Sequence, residues 1–262
     1  MSTLILAHDP RRREAFRLLV ASELKLVLRY PVAILVAFGI PLLLLVVFGS
    51  IPGTTRPVAA FGGISFFNLY VPTLLVFVLL ALGVGLLPQT LANYRQQGVL
   101  RRMSTTPVSP TWLLAAQLTV SFGLATISIA TLLGAGAAIF HLALPHDLGG
   151  YLVSLAALVL TAAATLGLGL CAAAVAGSPA VAQAIQALLF YPLAFFSGLY
   201  VPLSEIHSGV ITTISKGLPT GAGVNALHAA FTGHSPGAQP LLVLAGWSLV
   251  TSFAAARLFR WE

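Results

Sequence analysis

The chain has little charge for its length. Only 7% of its 262 residues are Asp, Glu, Lys or Arg, and six of these are acidic, where a soluble domain carries about 25% charged residues. With 58% hydrophobic residues and a mean hydropathy of +0.98, this deficit excludes an ordinary soluble domain and predicts an integral membrane protein. No Lys, Arg, Asp or Glu falls well inside any of six long apolar runs. That argues against a proton- or ion-driven carrier, whose relays sit at such positions. A single cysteine, Cys171, excludes an internal disulfide and a Cys-built metal site; in an apolar run it reads as a small packing residue. There is no HExxH or Walker A motif, so zinc hydrolysis and P-loop ATP hydrolysis are excluded by those routes. The histidines His8, His141, His146, His207, His228 and His234 include no i, i+4 pair. The expectation is a non-enzyme with no catalytic residue, no metal and no cofactor of its own. Uphill transport by such a chain needs energy from a partner.

What is present is apolar length. A span needs roughly 20 mostly apolar residues, and such runs occupy 32–51, 66–87, 111–142, 151–176, 180–197 and 240–259. The predicted fold is a single all-α domain of six transmembrane helices over 1–262. Pro41 is expected to kink the first span. Gly134, Gly136, Ala162, Ala163, Ala164, Gly167, Gly169 and Ala172 predict close helix packing in spans three and four. Ahead of the spans, 9–30 predicts an amphipathic helix lying on the membrane: Arg13, Arg17, Lys25 and Arg29 form a basic stripe, and Phe16, Val20, Leu24 and Leu28 an apolar one, reinforced by Leu19 and Val27. Signal peptides have an apolar region of only about 7–15 residues, so the first span is expected to be retained.

The net charge of +7 sits at span ends, which points to topology and away from nucleic acid. Six spans place both termini on one side, and eleven of the thirteen Lys and Arg residues fall on that side, leaving Arg56 and Lys216 on the other. The positive-inside rule puts both termini and the 88–110 loop in the cytoplasm.

That loop carries Tyr94-Arg95-Gln96-Gln97-Gly98-Val99-Leu100-Arg101-Arg102-Met103, then Thr106-Pro107-Val108-Ser109-Pro110. Its composition predicts a helix over 91–105 that exposes Arg95, Arg101 and Arg102. Those arginines either anchor the loop inside or meet a partner. The run resembles the signature of type-2 ATP-binding-cassette transporter permeases, in which Arg-acidic-x-Gly-x-Leu-Arg-Arg precedes Thr-Pro-hydrophobic-Ser. The resemblance implies a coupling helix that docks into a separate ATPase subunit through Tyr94 to Arg102. Gln96 stands where the family usually has an acid, so hydrogen bonding is kept and charge is lost.

Phe195-Phe196-Ser197-Gly198-Leu199-Tyr200-Val201-Pro202-Leu203 and Leu218-Pro219-Thr220 resemble the same family after its fifth span, which implies short re-entrant helices within 198–239, on the outer side. Ile206, Val210 and Ile214 would form their apolar face. Arg29-Tyr30-Pro31 is a third match. The likeness is greatest to the daunorubicin-resistance type of drug and lipid exporter permease. It implies a bacterial cell-membrane complex of two permeases, identical or homologous, with two ATPase subunits that hold the ATP and Mg. Asn68, Tyr70, Gln117, Ser121, Gln183 and Gln186 are the polar residues available to line a path, though each also suits helix–helix hydrogen bonding. An uncharged path suits a hydrophobic or amphipathic cargo. A polysaccharide or teichoic-acid exporter and a non-transporting scaffold are the alternatives.

Overall fold

The computed structural model describes residues 10–58, 63–99, 110–202 and 208–258. Helix α1 is Pro10–Arg29. Six helices long and apolar enough to cross a membrane follow: α2 (Pro31–Ser50), α3 (Phe66–Gln96), α4 (Thr111–Phe140), α5 (Leu148–Val175), α6 (Pro179–Phe196) and, after an intervening helical hairpin, the last at Gln239–Leu258. The hairpin is α7 (Gly209–Gly217) and α8 (Pro219–Phe231), so the last span is α9. A two-residue ladder, β1 (Pro57–Val58) against β2 (Ile64–Ser65), joins α2 to α3.

Sequence places the boundaries. Ser65, Asp147 and Ser178 are N-caps whose side chains accept the backbone N–H of Asn68, Gly150 and Val181. Prolines shape the spans from within. Leu35–Gly39 in α2 and Ala81–Leu86 in α3 are π-helical turns, each ending two residues before a proline, Pro41 and Pro88. A proline cannot donate to the preceding turn and its ring crowds that carbonyl, and widening the turn accommodates both.

Helix α3 is the axis of the bundle. Every residue from Tyr70 to Gly85 is buried, as expected for a helix apolar on all sides. The other spans surround it and turn Leu43, Val47, Ile127, Leu155, Leu188, Leu249 and Phe253 outward, an uncharged surface suited to lipid. Helix α5 closes on α3 and α9 through small residues. The Gly83 carbonyl meets Gly169, and Gly167 meets Thr251. Ser248 Oγ donates to the Leu160 carbonyl at 2.9 Å. Gly134 is different: nothing lies within 4 Å of where its Cβ would be, so it makes no such contact.

Three sequence expectations need revision. The second span does not end at 87 with a separate helix from 91, because α3 runs unbroken to Gln96. Pro88 is absorbed by the π turn and does not terminate the helix. On α1 the inward stripe is Phe16, Val20, Glu23 and Val27, while Leu24 and Leu28 are exposed. A strict i+4 series drifts about 40° per step around a 3.6-residue helix, so alternating steps of four and three stay on one face. Val210 and Ile214 of α7 point outward, and Ser215 is the buried residue; Ile206 lies outside the described residues.

Candidate functional site

The basic loop begins as the C-terminus of the central helix. α3 ends where Gln97 N–H bonds the Asn93 carbonyl and Gly98 N–H the Arg95 carbonyl. Gly98 has φ +67°, a left-handed conformation that glycine adopts without cost. Gln96 and Gln97 are exposed at this tip, and Val99 is half-buried. Leu100, Arg101 and Arg102 lie outside the described residues.

The two residues before the tip point inward. Arg95 is half-buried, and its guanidinium Nη1 donates to the carbonyls of Ala173 at 3.0 Å and Ala176 at 3.1 Å. These are C-terminal carbonyls of α5, which have no partner within the helix, and a cation there also opposes the negative end of the helix dipole. Arg95 is therefore a strut from α3 to α5, where sequence had it exposed. Tyr94 OH donates to Glu23 Oε2 of α1 at 2.7 Å. Glu23 is only 3% exposed. Its one sequence signal was its place in the apolar stripe of α1. Phe16 of α1 meets Trp112 of α4 edge-on, with centroids 5.9 Å apart. Arg13, Arg17, Lys25 and Arg29 are all exposed, so α1 clamps to the bundle by one face and presents its cations on another.

Burial raises the Glu23 carboxyl above the usual range, partly offset by the Tyr94 hydroxyl. The folded state therefore holds this proton more tightly than the unfolded chain. This contribution is fully present below the ordinary carboxylate value and declines as pH rises through the raised one. Glu23→Gln keeps an acceptor for Tyr94 and removes the ionisation. Thermal melting of the lipid-reconstituted chain at pH 5 and pH 7.5 is expected to show a smaller loss with rising pH in Glu23→Gln than in the parent; equal pH dependence would contradict this assignment.

At the opposite end, α6 stops in a Schellman turn. Leu199 N–H reaches the Ala194 carbonyl around Gly198, φ +82°. Phe195 and Phe196 are half-buried, with rings edge-on at 5.3 Å. Ser197 is buried and donates to the Ala194 carbonyl. Tyr200 is exposed, and Pro202 lines a cleft of about 200 Å³ between α3, the end of α6 and α8. Pro219 is buried at the hairpin turn. That turn is pinned on two sides: Trp247 Nε1 donates to the Gly217 carbonyl at 2.8 Å, and Thr220 Oγ1 to the Leu193 carbonyl at 2.8 Å.

The six polar span residues do not converge. Asn68 accepts the Ala143 N–H at 3.3 Å, and Tyr70 OH donates to the Leu199 carbonyl at 2.8 Å. Both tie elements together, and Tyr70 also lines that cleft. Gln117 is buried with Oε1 unpartnered. Ser121 lines a narrow gap beside Leu79 and Leu82. Gln183 is exposed and Gln186 half-buried on α6. Sequence reasoning passed over Asn225 and His228 of α8, which face the same cleft, because each stands alone on a Gly/Ala-rich helix.

Residues 14–232, most of the chain, match the family model described as ABC-2 type transporter. No curated protein matches the chain.

Proposed function

We propose that this chain, which belongs to the ABC-2 type transporter family, receives ATP-driven motion at the Gln96–Gly98 tip of α3 and converts it into export of a hydrophobic or amphipathic cargo. Family membership makes it a multi-pass membrane permease, the subunit of an ABC exporter that works with an ABC ATPase. The observation that carries the proposal is the bonding behind the tip. Gln96 and Gln97 face solvent, while Arg95 is bonded to α5 and Tyr94 to α1. A push at the tip therefore acts on the central helix, the fourth span and the surface helix together. The clustered cations of α1 support a cytoplasmic inner-leaflet position for that helix. The α7–α8 hairpin supports a re-entrant element, because its turn bonds Trp247, eight residues or about 12 Å into the last span. A complex of two permeases and two ATPases, with ATP and Mg in the latter, completes this reading, as does a drug or lipid cargo.

The test is a tip variant that spares the struts. Gln96→Arg with Gln97→Arg is expected to lower ATPase co-purification at least about tenfold, by analogy with interface positions that dominate binding, while melting of the permease stays within a few degrees of the parent. Unchanged assembly and unchanged ATP turnover would sink the docking assignment.

A further inference from the structure

We propose that the outer cleft is a holding site for an uncharged, hydroxyl-bearing ring of an amphiphilic cargo, gripped by Asn225 and His228. The proposal rests on the exporter reading above. About 200 Å³ falls below the roughly 300 Å³ of the smallest drug-sized pockets, yet exceeds the roughly 150 Å³ that holds one benzene. The space therefore suits one substituted ring, with the rest of the molecule leaving through the open mouth. One wall is aromatic: the rings of Phe66 and Tyr70 line it and pack on each other and on Phe48, giving the cleft an apolar side for a ring.

The opposite wall is α8. Asn225 and His228 are three residues apart, hence on one helical face, and both line the cleft. His228 Nε2 is buried without a hydrogen-bond partner, and the Asn225 carboxamide has none among the described residues. Tyr70 and Thr73 on the facing helix are already bonded to the Leu199 and Ser197 carbonyls. The free polar capacity is thus a carboxamide and an imidazole, each able to donate and to accept. A hydroxyl matches that pair because it also does both. No Asp, Glu, Lys or Arg is among the described residues lining the cleft, and the two unpartnered groups they do offer match a hydroxyl.

The experiment uses the full chain in lipid nanodiscs with three diazirine-tailed probes: an alkyl phenol, an alkyl glucoside and an alkylbenzene. Labelled peptides are mapped by mass spectrometry. The expected result is labelling of the Phe66–Thr73 and Val224–His228 segments by at least one hydroxylated probe. The phenol and glucoside arms separate an aromatic from a sugar source. Labelling should fall about fivefold or more in Asn225→Leu/His228→Leu and recover in Asn225→Gln/His228→Gln, with melting followed for every variant. Equal labelling by the alkylbenzene, or labelling unchanged in the Leu variant, would overturn the proposal and leave the cleft as water-filled space. Labelling is read without the ATPase, so it stands apart from the exporter reading, which fails separately if neither hydroxylated probe nor any other amphiphile raises ATP turnover in the assembled complex.

Discussion

Gly169→Val is expected to abolish the folded permease. The Cβ of any larger residue at 169 would overlap the Gly83 carbonyl, and a Cβ at 83 would lie 2.7 Å from the Thr165 carbonyl carbon. Both obstacles are backbone, so no side-chain rotation relieves them, and the two helices must separate. Overpacking costs about 1–3 kcal/mol where neighbours can adjust, and more where they cannot. Against a total stability of about 5–15 kcal/mol, and at the contact that seats α5 on the central helix, valine is expected to lose most of the folded protein, with alanine intermediate. Gly134→Ala is the control: its site is open, and alanine favours the helix by about 1 kcal/mol. Size-exclusion profiles and melting of the three variants check the ranking. Equal behaviour of Gly169→Val and Gly134→Ala would refute the contact.

Arg95→Glu is expected to be nearly as damaging, for an electrostatic reason. Losing the bonds to Ala173 and Ala176 costs about 2–3 kcal/mol for a charged donor. A carboxylate in its place also faces the negative end of the α5 dipole, adding up to about 1 kcal/mol. The permease should therefore melt lower even when purified without any ATPase. Arg95→Lys, a single ammonium without the guanidinium fork, should fall between Arg95→Ala and the parent. Were Arg95 instead a surface contact for the ATPase, Arg95→Glu would leave melting untouched and lose only assembly.

These two residues also show what the sequence could convey. Composition and apolar run length were enough for six spans, because hydrocarbon admits few alternatives. The charge asymmetry around Tyr94–Arg102 set that end of the bundle apart without any fold. Side-chain direction was not legible. Arg95 reads as one more loop arginine, and only the nearby end of α5 turns it inward. Gly134 and Gly169 are indistinguishable in a string of small residues; the difference is whether another backbone arrives. Glu23 was hidden because the stripe was drawn mainly at i+4, through Leu24 and Leu28, with Val27 only as reinforcement. The apolar run stopped at 87, whereas the π turn before Pro88 carries α3 through to Gln96. The cleft at Asn225 and His228 joins helices more than 130 residues apart in sequence, a juxtaposition that no local pattern announces.

The most direct measurement is photo-crosslinking from position 97. Gln97 is replaced by benzoylphenylalanine in the chain expressed in its own cells, membranes are irradiated, and the cross-linked polypeptides are identified by mass spectrometry with and without ATP. The expected result is a cross-link to a polypeptide carrying a Walker A sequence, changed in yield by ATP, while the same probe at Leu155 on the lipid-facing surface of α5 gives none. Cross-links from position 97 to lipid alone, or a Walker A partner captured equally from Leu155, would contradict the role of the α3 tip.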